Sequence, residues 1–289
     1  MNVTKPEKVK FSKRDKIIYI SAIVLCALSL GAIIYIETTQ GIGIIDMIDS
    51  AMAEEKTLGT KSEEECEILK SEFDNKFTNT IEKNSVSSNI KKLDDTKDLI
   101  YTQIEGKEAK TNSYTLDIAI PTINIDSDIV KKYNEDIVNT FQTKLSDILK
   151  SENKNEIYTV TYVASINNEV LSLIIKANLK EGTNAQRTII QTYNYDIIQN
   201  KTLTLQDVLD KNGLDQNKIQ ETIKSNIEES QKKVDDLKAL GYNIYSRDYN
   251  SGNYSISNSK EFYCTANTLY VVYAYGNDTY TSEMDVVVF

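Results

Sequence analysis

The chain has 289 residues, 33 Lys and Arg against 43 Asp and Glu, and neither histidine nor tryptophan. Without imidazole there is no Ser-His-Asp or Cys-His triad and no H-E-x-x-H zinc site; with only Cys26, Cys66 and Cys264, zinc fingers and iron–sulfur clusters are excluded too. The net charge of −10 argues against nucleic acid, whose phosphates demand a basic face.

Residues 1–16 form a basic tail with a charge of +4, which leaves −14 for the remainder. Ile17–Ile36 reads IIYISAIVLCALSLGAIIYI, twenty residues without a charge. At about 1.5 Å per residue a helix over it spans about 30 Å, the hydrocarbon thickness of a bilayer. The basic flank predicts a single-pass transmembrane helix with a cytoplasmic N-terminus and residues 37–289 extracellular. The run is longer than a signal-peptide core, so a retained anchor is expected; the Ala51-Met52-Ala53 triplet further on is a candidate proteolysis site.

Residues 37–97 read as an extracellular stalk. Within Lys61–Lys83 the positions Cys66, Leu69, Phe73, Phe77 and Ile81 recur at helical spacing, whereas Asn84–Lys97 reads as linker. Glu63-Glu64-Glu65 reads as a solvated helix face rather than a catalytic carboxylate pair.

Beyond residue 98 the period changes. A first α+β subdomain is expected over 98–155, with a strand at Ser113–Ile120 and a helix at Ile129–Leu149 capped by Ser127 or Asp128. A second is expected over 156–289. It has strands at Ile157–Asn167, Val170–Leu179 and Arg187–Ile198, then a short helix at Leu203–Leu209. A long helix follows at Gln216–Leu240, with Ile219, Ile223, Ile227, Val234 and Leu237 inward and Gly241 as its stop. Glu261–Thr265, Thr268–Tyr275 and Asp285–Phe289 close the chain as strands. The fold class is α+β, antiparallel sheets with packed helices, preceded by the transmembrane helix.

Catalytic and cofactor motifs are absent: no G-x-S-x-G, G-x-G-x-x-G or Walker pattern, and Asp126 and Asp128 lack the glycine and closing glutamate of a calcium loop. No cofactor and no metal are expected. Cys66 and Cys264 form a candidate disulfide in an oxidising exterior; the alternative is two thiols, one on a helix and one buried in a strand. Tyr242, Tyr245, Arg247, Tyr249 and Tyr254 cluster in a Gly-, Ser- and Asn-containing stretch of the kind found in adaptable recognition loops, and are the candidate partner-binding residues. A flexible connection has the same composition.

Four short motifs fall in a fixed order: Leu171-Ser172-Leu173 in a strand, Tyr195-Asp196 at a strand end, Leu203-x-Leu205-x-Asp207 at a helix start, and Phe262-Tyr263 in a late strand. Together with YTLDIAIPTINID before them, they resemble the extracellular region of the anti-sigma-V factor family. The same module precedes the catalytic domain of certain peptidoglycan deacetylases. The resemblance spans roughly 98–289 and implies an extracellular binding role, with lysozyme or a cell-wall component as partner. Two departures limit it. Sixteen residues before Ile17 are short for a sigma-binding domain, and no deacetylase metal motif is present. The expected function is therefore that of a non-catalytic, membrane-anchored binding or sensor protein of a Gram-positive envelope, whose acidic exterior suits a cationic muramidase. The alternatives are an anti-sigma factor signalling by regulated proteolysis and an envelope hydrolase using carboxylates alone.

Overall fold

Three central strands carry alternating apolar residues on both faces, which places them between two layers. The computed structural model describes residues 58–59, 61–83, 90–167, 169–275 and 283–289. The expected span Ile17–Ile36 and the Ala51 and Ala53 site lie outside them. Among the described residues no helix is long and apolar enough to cross a membrane.

The large sheet has seven strands: β1 (Thr80–Lys83), β2 (Ile100–Lys110), β3 (Tyr114–Ile123), β4 (Glu156–Asn167), β5 (Val170–Lys180), β6 (Arg187–Asp196) and β7 (Lys201–Thr202). They run in the order β2-β3-β4-β5-β6-β7, and β1 also pairs with β4. Residues 98–155 and 156–289, read separately from the sequence, thus share one sheet. β3 and β4 are parallel, so the chain crosses between them through a helical run: α2 (Asp128–Ile137), a π turn (Val138–Gln142) and α3 (Thr143–Lys150). That run covers the span expected from the four-residue repeat, with Ser127 as its cap. The π turn was not legible; the buried Tyr158 hydroxyl donates to the Phe141 carbonyl within it.

β4 has two partners along one edge. β3 pairs with Glu156–Val160 and β1 with Val163–Ile166, both parallel. At the seam Asn79, with φ of 58°, donates its N–H to the Tyr162 carbonyl and accepts the Tyr162 N–H on Oδ1, each at 2.9 Å. Asparagine tolerates this left-handed conformation better than most residues and supplies the side-chain acceptor.

The small sheet is β8 (Phe262–Cys264), β9 (Leu269–Ala274) and β10 (Met284–Val288) in the order β10-β9-β8, all antiparallel. Its alternation divides two cores. Tyr263, Tyr270, Val272, Val286 and Val288 face the large sheet and meet Val163, Ile174 and Ile190. Phe262, Leu269, Val271 and Val287 face the other way, onto α4 (Leu205–Lys211) and α5 (Gln216–Ala239). A third core lies between the far face of the large sheet and α2–α3, around Phe141, Tyr158 and Leu173. The layers therefore run helix, sheet, sheet, helix.

The stretch read as a stalk differs over 61–83. Only Glu63–Ser71 is α-helical (α1); Phe73–Lys76 is a 3-10 turn and Thr80–Lys83 is β1. Phe73 is buried against the inter-sheet core, packing on Tyr270 at 5.1 Å between ring centroids. The repeat at 66, 69, 73, 77 and 81 thus marks one buried face carried through three kinds of backbone. Glu65 completes a capping box with Ser62 at the start of α1, and acidic side chains in that first turn suit the helix dipole.

The motifs behind the family resemblance fasten the sheets. The buried Ser172 hydroxyl donates to Asn194 Oδ1 at 2.6 Å and accepts the Cys264 N–H at 2.9 Å. Asn194 Nδ2 donates to the Phe262 carbonyl at 2.9 Å. This clasp ties β5 and β6 to β8. Asp196 accepts the Gln199 N–H and pairs with Lys211 on α4; burial pushes its carboxyl up, but these partners hold it below the usual range. Asp207 caps α4 with Thr204 and pairs with Lys201 at 2.8 Å, and Lys201 with the cap brings its pKa to about 2.

Glu261, just before β8, carries a strain of its own. Its Oε2 is buried without a hydrogen-bond partner. Burial pushes this carboxyl above the usual range, against hydrogen bonds from Thr192, and Asp136 adds repulsion. A raised folded-state pKa means that the ionised form is disfavoured in the fold. The resulting stability is complete below the ordinary glutamate value of about 4.3 and is lost as pH rises through the higher folded value. Glu261→Gln is expected to match the parent in urea unfolding below that value, and to exceed it by about 1 kcal/mol at neutral pH. Equal stability at both pH values would refute this account.

Candidate functional site

The five tyrosine-loop residues singled out from the sequence do not form one exposed, adaptable loop. Arg247 and Tyr254 are buried, Tyr249 is half-buried, and Tyr242 and Tyr245 are exposed at 60% and 37%. The reason is electrostatic. The Arg247 guanidinium donates through Nε to Asp285 Oδ2 at 3.0 Å and lies 2.7 Å from Glu283 Oε2. Its Nη1 donates to the Tyr245 carbonyl at 2.8 Å, and its backbone N–H meets Gln231 Oε1 on α5. The planar fork of arginine suits two carboxylates at once.

Aromatic rings stack around that anchor. Arg247 lies over the Tyr275 ring at 4.5 Å, and Tyr245 stacks on the same ring with centroids 5.2 Å apart and planes at 11°. The Tyr275 hydroxyl donates to Asp285 Oδ2 at 2.8 Å and lies 3.2 Å from the Tyr254 hydroxyl. Burial, with Asp285 and Tyr254 beside it, raises the Tyr275 phenol far beyond its usual value, so it stays a donor.

Large apolar side chains are exposed near this base. Leu237 and Leu240 at the end of α5 are exposed at 39% and 75%, and Tyr242 and Tyr245 follow them in the chain, exposed as well. Leu237, expected to face inward, lies at the outer end of the helix, one turn past the buried Val234. Gly241, at φ of 91°, ends the helix as expected. Sequence reasoning missed Leu240, Tyr275, Glu283 and Asp285; the run Leu237–Leu240–Tyr242 at a helix end was the one signal available.

Beside Leu237 lies a cleft of about 460 Å³, walled by α1 and the turn after it, β5, β6, α5 and β10 and lined by Lys70, Lys176, Lys233 and Arg247 together with Asp74, Glu283 and Asp285. Lys176 pairs with Asp74 at 2.7 Å. A second cleft of about 490 Å³ continues between α1 and α5 towards Val288 and Phe289.

The candidate disulfide is not formed: both thiols are free. Strand alternation explains it. Cys264 packs against the α4–α5 core, whereas Cys66 packs against the inter-sheet core, on opposite faces of the small sheet. Burial pushes the Cys264 thiol up to about 12 and also raises Cys66.

No family model matches the chain, and no curated protein matches it. Its structural neighbours are DUF3298 family proteins. One, from Pseudomonas aeruginosa PAO1, is 12% identical, with 65% of this chain and 88% of that one covered at a TM-score of 0.37. Another, from Bacteroides fragilis NCTC 9343, is 14% identical, with 65% and 89% covered at a TM-score of 0.35.

Proposed function

We propose that this chain is a membrane-anchored, non-catalytic binding protein of a Gram-positive envelope, and that it recognises a protein or wall glycan through the surface of Leu237, Leu240, Tyr242 and Tyr245. One observation carries the reading: these large apolar side chains stay exposed side by side in the chain, on a base immobilised by the buried Arg247. Contiguous exposed apolar patches mark interaction sites, and a surface ordered before binding loses less entropy on association. Tyrosine supplies contact area at small conformational cost.

The envelope location draws its support from the uncharged run Ile17–Ile36 and its basic flank. The ligand class draws support from the sequence resemblance to the anti-sigma-V extracellular region and from the −14 charge beyond residue 16, which favours a cationic partner.

The test is binding of the full chain in lipid nanodiscs to lysozyme and to isolated peptidoglycan, at low and high salt, beside the Leu240→Ser/Tyr242→Ser/Tyr245→Ser variant. Saturable binding is expected, weakened by salt and reduced by roughly tenfold or more in the variant. Binding to neither probe, or binding that ignores the variant, would retire this surface as the site.

A further inference from the structure

We infer that the outer edge of β10 is a docking site for an extended segment of a partner protein, which adds as a further strand to the small sheet. This goes beyond the apolar surface at the end of α5 and does not depend on the envelope ligand.

The argument starts from the hydrogen-bond ladder. Phe289 and Leu269 exchange both N–H···O bonds, and the Tyr275 N–H reaches the Glu283 carbonyl. With the register that pairs Met284 with Ala274 and Val288 with Tyr270, the bonded partners on β10 are 283, 285, 287 and 289. The N–H and C=O groups of Met284, Val286 and Val288 therefore point away from β9. Among the described residues no group hydrogen-bonds them. Val286 and Val288 are nonetheless buried residues, each 5% exposed. A row of unpaired backbone groups in a sheltered place is costly, and sheets commonly cover such an edge or pair it.

The space in front of the edge has the form of a groove. The two clefts adjoin along β10, one at Met284–Val286 and one at Val288–Phe289; α5 lines one side of both, α1 lines the other, and at the first cleft the turn after α1 and the β5 and β6 residues Lys176 and Thr188 complete that side. Lys70 lines both, and its Nζ reaches Asn226 Oδ1 at 3.4 Å across the groove, a long contact that an incoming backbone can replace. A strand needs about 4.8 Å from its neighbour and about 3.3 Å per residue along it.

Two features select the occupant. The edge is recessed between two helices, which hold off the sheet of a second folded copy but admit a lone extended chain. The lining charge also reverses along the groove: four cations and three acids at the Arg247 end, three cations and four acids at the α1 start. The complementary segment alternates polar residues with apolar ones that meet the partly exposed Leu237 and Met284 at one end and Leu214 at the other. It carries an acidic side chain at the Arg247 end, where the lining has one cation in excess, and a basic one at the α1 start, where the lining has one acid in excess and Glu63 is exposed.

The experiment is selection of random dodecapeptides, displayed on phage, against the full chain in nanodiscs. The comparison protein is Val286→Pro, which removes one outward N–H without breaking a bond to β9, and also a side chain of the inter-sheet core. Enriched peptides are expected to alternate apolar and polar residues, and to lose about tenfold or more in affinity for Val286→Pro. Synthetic copies methylated at alternate backbone nitrogens should lose as much. Amide exchange read on the parent protein should slow at Met284, Val286 and Val288 when a peptide is bound, a readout that does not depend on the variant folding. No enrichment would overturn the inference, as would binders indifferent to both substitutions. Dimerisation of the parent that Val286→Pro abolishes would overturn it in favour of a second copy. Lysozyme and peptidoglycan binding are read separately, so failure of one proposal leaves the other standing.

Discussion

Arg247→Ala is expected to destabilise the protein by about 3–5 kcal/mol, because it strands the carboxylates that the guanidinium now neutralises. The side chains involved are little exposed, 4% for Arg247, 10% for Asp285 and 22% for Glu283. A region of this size loses roughly 2–4 °C of Tm per kcal/mol, so the drop should be about 6–20 °C in a thermal scan. The stranded charge can be separated from lost packing. Adding Glu283→Gln and Asp285→Asn to Arg247→Ala should recover most of the loss if charge dominates. If the triple variant is as unstable as the single one, the contacts to the Tyr245 carbonyl and the Tyr275 ring are what matter. The same variant should loosen Tyr245 and so weaken binding through the outer surface.

The second large effect is expected at the inter-sheet clasp. Asn194→Ala leaves the Phe262 carbonyl and the Ser172 hydroxyl without their partner in a buried place. At about 1–3 kcal/mol for each stranded group, the loss should be about 2–5 kcal/mol in urea unfolding. Ser172→Ala strands the Cys264 N–H and part of the same network, so the two substitutions should fall short of additivity by about 0.5 kcal/mol or more. Cys264 offers an independent readout. Its thiol is buried in the parent and should react faster with a maleimide once the clasp opens. Additive losses with unchanged thiol reactivity would mean that the sheets hold together by apolar packing alone.

These residues also show what the sequence made legible. β3 to β6 and α5 were readable because their buried faces repeat at the period of their own backbone, as in Leu171, Leu173, Ile175 and Ala177. β2 was not, because an edge strand exposed over Glu105–Lys110 has little to alternate. β1 is four residues long, too short for a period to declare itself. The apolar repeat over 61–83 identified the buried face correctly but not the backbone beneath it. The motifs that carry the resemblance are short because each is a fastening point: Ser172 and Phe262 in the clasp, Asp196 at a turn, Asp207 in a cap. They accordingly speak for the fold rather than for a ligand. The tyrosine-rich stretch drew attention for its composition, yet what decides its behaviour is an ion pair between Arg247 and Asp285, 38 residues apart. No local pattern encodes such a pairing, so an anchored segment and a mobile one looked alike.

The shared edge of β4 has a consequence for where this molecule can be cut. The boundary most visible in the sequence falls near residue 98, ahead of the first clear alternation. A fragment starting there lacks Asn79 and β1, so β4 from Tyr162 to Ile166 becomes a bare, apolar sheet margin, open to pairing with the same margin on another fragment. It also lacks Phe73, whose ring closes the mouth of the inter-sheet core. Such a fragment would come out of expression as aggregate and be judged poorly soluble, when the fault lies in the cut. The arm from α1 to β1 is the last course of masonry in this wall, although it precedes the other strands in the chain.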